Sequence, residues 1–115
     1  MSGRASIHAT DPAPSSMPNV WDPSKNNPEM SIEDIHQYIE WFAQGAKAAK
    51  DAGIDGVEIH AVHEGYLLVQ FTIAAWNKRN DEYGGSLENR LRFHVKLLKQ
   101  LKKLVMYSFI FFLGS

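Results

Sequence analysis

The chain has 115 residues, 44% of them hydrophobic and 22% charged, with a formal net charge of -1. That composition fits one small globular domain at most, and it offers no global field for nucleic acid or an anionic membrane. There is no cysteine, which excludes disulfides, thiolate zinc sites, cysteine-held iron–sulfur clusters and thiol catalysis within this chain.

Residues 1–30 are rich in Pro, Ser, Asn and Gly without a sustained period, and read as a loop-rich segment ordered only by packing on something else. Within them MSGRASIHATDPAPSS (1–16) has no apolar core and is not a secretory signal, so a cytoplasmic location is expected. From Ser31 the text changes. Ile35, Ile39, Phe42, Ala46 and Ala49 recur three or four apart, which predicts an amphipathic helix over 32–52. Ser31 is its N-cap, Glu33 and Asp34 complement the helix dipole, and Gly53 ends it in the left-handed conformation. A strand follows in GVEIH (56–60), with Val57 and Ile59 on one face and Glu58 and His60 on the other. A second helix starts after Ser86, with Leu87, Leu91, Val95 (or His94), Leu98 and Leu101 as its stripe. Glu88 and Arg92 are spaced as an i,i+4 pair, and Lys99, Lys102 and Lys103 crowd its last turns. Residues 104–115 are an apolar tail, about half the length a membrane-spanning helix needs.

The order helix, strand, loop, helix is an αβα portion of a parallel α/β protein, in which chemistry sits at strand C-termini and in the loops after them. IHAVHEGY (59–66) occupies that place. His60 and His63 can each donate a hydrogen bond to polarise an oxygen, Tyr66 has a phenolic proton to give, and Gly65 permits a sharp turn. On the residues alone, His60 reads equally as a satisfied interior histidine. His63 reads as a solvated loop residue, Tyr66 as a packed aromatic, and Glu58 as a partner in a polar interior network.

DGVEIHAVHEGYLLVQF (55–71) followed by NKRNDEYGGSLENRLRF (77–93) strongly resembles the old yellow enzyme family of FMN-dependent NAD(P)H:flavin oxidoreductases. APSS (13–16) and PEMSIEDIHQYIEWFAQGAKAAKDAGIDG (28–56) are also similar to it, and HAVHEGYL looks closest to the bile-acid-inducible enoate reductase and 2,4-dienoyl-CoA reductase-like branch. The resemblance spans residues 12–103 and implies a (β/α)8 barrel, of which this chain is a partial, αβα segment. It implies FMN and NAD(P)H as cofactors, no metal, and hydride transfer through the flavin to an activated C=C bond of a small unsaturated carbonyl or enoyl substrate. His60 and His63 match the pair that holds the substrate's electron-withdrawing oxygen, and Tyr66 matches the residue that protonates the α-carbon. Glu64 is a departure: many members have histidine or asparagine directly before the Gly-Tyr, and the extra residue can turn Tyr66 away. Arg79, Asp81, Tyr83, Gly84, Gly85, Asn89 and Arg90 match the second motif, expected to organise a loop: Arg79 and Asp81 as an ion pair, the glycines as the turn, Ser86 and Asn89 at the helix start. Which residues hold the flavin is not legible.

A complete barrel needs about 250 residues, so the isolated chain is expected to be inactive. The competing reading is a non-catalytic remnant or interaction piece. A zinc hydrolase using HAVHE lacks a third ligand and the helical spacing such sites use. RLRFHVKLLKQLKK reads as the solvated face of a helix rather than a nucleic-acid or membrane contact. Beyond Leu104 the chain does not resemble the family, and an apolar run without a sheet to join is an aggregation hazard.

Overall fold

The computed structural model describes residues 11–19, 21–61 and 66–104 in full, and 105 and 110–114 as backbone. Helix α1 spans Ile32–Asp51. Its start is a reciprocal box: Ser31 Oγ accepts from the Asp34 amide at 3.0 Å, and Asp34 Oδ2 accepts from the Ser31 amide at 2.9 Å, which satisfies two donors the first turn leaves open. Its end is equally defined. The Gly53 amide bonds to the Lys50 carbonyl and the Ile54 amide to the Ala49 carbonyl, with Gly53 at φ +86°: a Schellman turn. A Cβ on Gly53 would meet nothing within 4 Å, so Gly53→Ala is expected to cost only the left-handed backbone, about 1–2 kcal/mol, as a shift in urea midpoint.

Strand β3 (Gly56–His60) follows at once. Ile59 is buried, Val57 is half-buried against the core, and Glu58 and His60 are exposed on the other face. Helix α3 spans Leu87–Val105 and packs beside α1. Together Ile35, Ile39, Ala43 and Ala46 of α1, Ile59 of β3, and Phe93, Leu97 and Leu101 of α3 make the core, with Met30 and Tyr83 inserted from loops.

Three expectations change. The buried stripe of α3 is Phe93, His94, Leu97 and Leu101, whereas Leu87 and Val95 are 57% and 45% exposed. The helix carries two overlapping apolar rows, and the row containing Phe93, with the larger ring, turns inward. A short helix α2 (Leu67–Thr72) stands where the sequence reading has only a loop; at six residues, buried on nearly every side, it shows no amphipathic period to find. The apolar tail joins a sheet after all. Strand β4 (Ile110–Gly114) pairs in parallel with β3 from Gly56↔Ile110 to His60↔Gly114, α3 serving as the crossover that parallel strands require. A continuous apolar run is the usual text of such a strand, and the absence of alternation hides it.

The segment before α1 has structure of its own. Met17–Pro18 (β1) and Asn26–Asn27 (β2) form a minimal antiparallel ladder. The Asn19 side chain bonds to Asn27 and accepts the Trp21 and Asp22 amides across the turn.

Candidate active site

His60 is the last residue of β3 and lies on its exposed face. Tyr66 is the N-cap of α2, in extended conformation and with no side-chain cap bond. Its ring meets the His60 ring edge-to-face, with centroids 4.9 Å apart and planes at 73°, a favoured aromatic geometry. The strand end and the short helix thus bring an imidazole and a phenol together. His63, with Glu64 and Gly65, lies outside the described residues.

The NKRNDEYGGSLENR stretch builds a hydrogen-bonded junction that reaches Phe71 and Thr72 of α2 and the carbonyls of Pro14 and Met30. Arg79, with its side chain 4% exposed, donates Nε and Nη2 to the two carboxylate oxygens of Asp81 at 3.0 and 2.6 Å. Its Nη1 donates to the Pro14 and Met30 carbonyls at 2.8 and 2.6 Å, and the guanidinium lies 5.9 Å from the Phe71 ring centroid. That hydrogen bonding holds the Asp81 carboxyl below its ordinary value. Gly84 is buried against the Arg79 carbonyl, and Gly85 takes φ +90°. The Asn89 amide bonds to Ser86 Oγ, and the Asn89 side chain donates to the Gly84 carbonyl. Arg90 donates to the Thr72 carbonyl at 2.6 Å.

Asn77 escapes the sequence reading, and His94 figures there only as the alternative to Val95 in the apolar stripe. Asn77 donates to the Phe71 and Tyr83 carbonyls, each at 2.8 Å, and accepts the Arg79 amide; it sits in a polar cluster that gives no hint of burial. His94 contacts Thr72 Oγ1 through Nε2 at 3.2 Å, while Thr72 Oγ1 bonds to the Leu68 carbonyl. Since the hydroxyl proton goes to Leu68, Nε2 is the donor and Nδ1 the bare nitrogen. Burial pushes the His94 imidazole below its ordinary 6.5, the Leu68 carbonyl acting the other way. The unfolded chain takes up a proton that the folded one refuses, so stability falls as pH drops below about 6.5 toward the depressed value. His94→Gln, which bonds without titrating, is expected to flatten the dependence of the urea midpoint on pH across about 7 to 5.

A groove of about 380 Å³ between α1 and α3 is lined by His36, Ile39, Glu40, Lys96, Lys99, Gln100 and Lys103. At this groove Lys96 donates to the Tyr83 hydroxyl at 2.9 Å, and His36 contacts the same oxygen. Among the described residues, no three of His, Asp and Glu gather as a metal would need, and no helix is long and apolar enough to cross a membrane.

A parallel β–α–β unit of this kind is a piece of a (β/α)8 barrel, the fold of the solved structures it superposes on. The chain belongs to the NADH:flavin oxidoreductase / NADH oxidase family, whose model matches residues 4–112 and so runs beyond Leu104 into β4, where no family likeness is expected from the sequence. Members of this family work with FMN and NADH or NADPH. The chain is 53% identical over 91 residues to a cinnamate reductase of Clostridium sporogenes, covering 79% of this chain and 14% of that protein. To an NADPH dehydrogenase of Bacillus licheniformis it is 42% identical over 101 residues, 87% of this chain and 29% of the relative. The histamine dehydrogenase structure from Rhizobium sp. 4-9 superposes with a TM-score of 0.79 at 34% identity, over 86% of this chain and 16% of that one. The chain therefore spans less than a third of each of these proteins.

Proposed function

We propose that this chain is the substrate-side segment of an FMN-dependent ene reductase, acting in the cytoplasm on a small unsaturated carbonyl or enoyl compound. The observation that carries the reading is the His60–Tyr66 ring pair, 4.9 Å between centroids, at the C-terminal end of a parallel strand. These residues fit the face of a flavin where substrate lies. Neither has the fixed charge that a phosphate calls for, and Arg79, which does, is committed to Asp81 and two carbonyls. FMN bound there would supply, once reduced by NAD(P)H, the hydride for the alkene's β-carbon. His60, with His63 as the family's second donor, holds the electron-withdrawing oxygen and draws charge toward it. Tyr66 gives its phenolic proton to the α-carbon.

The role of Tyr66 is tested in a complete flavin-loaded barrel that carries this segment, by stopped flow, separating the two half-reactions. Tyr66→Phe is expected to leave flavin reduction by NAD(P)H unchanged and to slow alkene reduction about 10²–10⁴-fold, the usual worth of a positioned acid. Unchanged alkene reduction would remove Tyr66 from the chemistry. For the isolated chain the expectation is that no stoichiometric flavin absorbance accompanies it through purification.

A further inference from the structure

Tyr66 heads a helix of six residues, too short to hold a direction by its own hydrogen bonds. Burial of Leu67, Leu68 and Phe71 in the core seats it, and directed bonds reach its other end from α3. Arg90 donates Nη1 to the Thr72 carbonyl at 2.6 Å. One turn on, His94 donates Nε2 to Thr72 Oγ1 at 3.2 Å, and the same hydroxyl ties back to the Leu68 carbonyl within α2. Two successive turns of α3 thus grip a single residue, its main chain from one and its side chain from the other. Phe71 lies against Phe93 within the core, centroids 5.0 Å apart.

Both gripping side chains carry a cost. Arg90 Nε and His94 Nδ1 are buried with no hydrogen-bond partner among the described residues, and orphaned atoms of this kind are rare in folded proteins. An apolar residue at either place would fill space without that cost. What the polar residues add is the directed bond to Thr72.

We propose that Arg90 and His94 are positioning residues for Tyr66: by clamping Thr72 they set the direction of α2 and hold the Tyr66 ring against His60. The catalytic meaning of this rests on the proton-donor reading of Tyr66, while the geometry is tested separately.

The test uses the full chain with isotope-labelled histidine, tyrosine and phenylalanine rings, and reads the NMR cross-peaks between the His60 and Tyr66 rings. Arg90→Ala is expected to abolish them while the Phe71–Phe93 cross-peaks persist. Arg90→Lys, which still reaches a carbonyl as a donor, is expected to restore them. Thr72→Val, equal in shape but without the hydroxyl, is expected to weaken them with α3 unaltered. Intact His60–Tyr66 cross-peaks in both Arg90→Ala and Thr72→Val overturn the proposal. So does loss of both ring pairs together, which marks a merely structural role. Should Arg90→Ala fail to fold, Thr72→Val decides by the same criterion. Failure of the proton-donor reading looks different: Tyr66→Phe would reduce the alkene normally, while the ring contact still followed Thr72.

Discussion

Replacing Gly84 by alanine is expected to destabilise the chain by about 3–5 kcal/mol and to take apart the loop that carries Arg79. A Cβ there would lie 2.3 Å from the Arg79 carbonyl oxygen, 2.6 Å from its Cβ and 2.8 Å from its carbonyl carbon. None of these is the far end of a flexible side chain. The Arg79 backbone is itself held, its amide by Asn77 and its side chain by four acceptor atoms, so relief requires breaking those bonds. Gly85 is the control. It has φ +90° but open space where a Cβ would stand, so Gly85→Ala costs only about 1–2 kcal/mol. Urea unfolding of the two variants side by side is the measurement. A Gly84→Ala loss no greater than that of Gly85→Ala would show that the loop yields.

Arg79→Lys is the second large effect, about 3–5 kcal/mol despite the retained charge. The guanidinium serves both Asp81 oxygens and the Pro14 and Met30 carbonyls, directions that a lysine ammonium at the end of an unbranched stem does not reproduce. Buried carbonyls lose their donor, each at about 1–3 kcal/mol. There is a signature in acid as well. Arg79, first through its hydrogen bonds, holds the Asp81 carboxyl below its ordinary 3.8. The ion pair therefore contributes stability above the unfolded value, and that contribution is lost as pH falls through the depressed one. Arg79→Lys is expected to shrink this acid-dependent part, seen as a shallower loss of urea midpoint below about pH 4. A lysine variant within about 1 kcal/mol of the parent would mean the planar fork is dispensable.

Much of this molecule is legible in its text, and the reasons differ by element. Helix α1 announces itself because each level agrees: N-cap serine, acidic first turn, apolar period and terminal glycine. Strand β3 shows its alternation, so the exposed side of His60 follows from counting by two. The hidden parts lack a periodic signal. Helix α2 is buried on too many sides to be amphipathic, β4 is apolar throughout, and α3 carries two apolar rows between which only packing chooses. The link from Arg90 and His94 to Thr72 is invisible for another reason: the partners are 18 and 22 residues apart, and nothing local marks them. At the site, the family likeness supplies the roles proposed for His60 and Tyr66, and the structure supplies the distance between them.

The Arg79 junction also sets an order of events during synthesis. Pro14 and Met30 precede their donor by 65 and 49 residues. At about 5–20 residues per second, the Pro14 carbonyl waits roughly 3–13 s for its partner to be made. Through that interval the nascent segment stays hydrated, and a stretch of Pro, Ser and Asn is well suited to do so without clumping. The short ladder of Met17–Pro18 with Asn26–Asn27 can close on its own, but the Pro14 and Met30 carbonyls gain their buried donor only when Arg79 arrives.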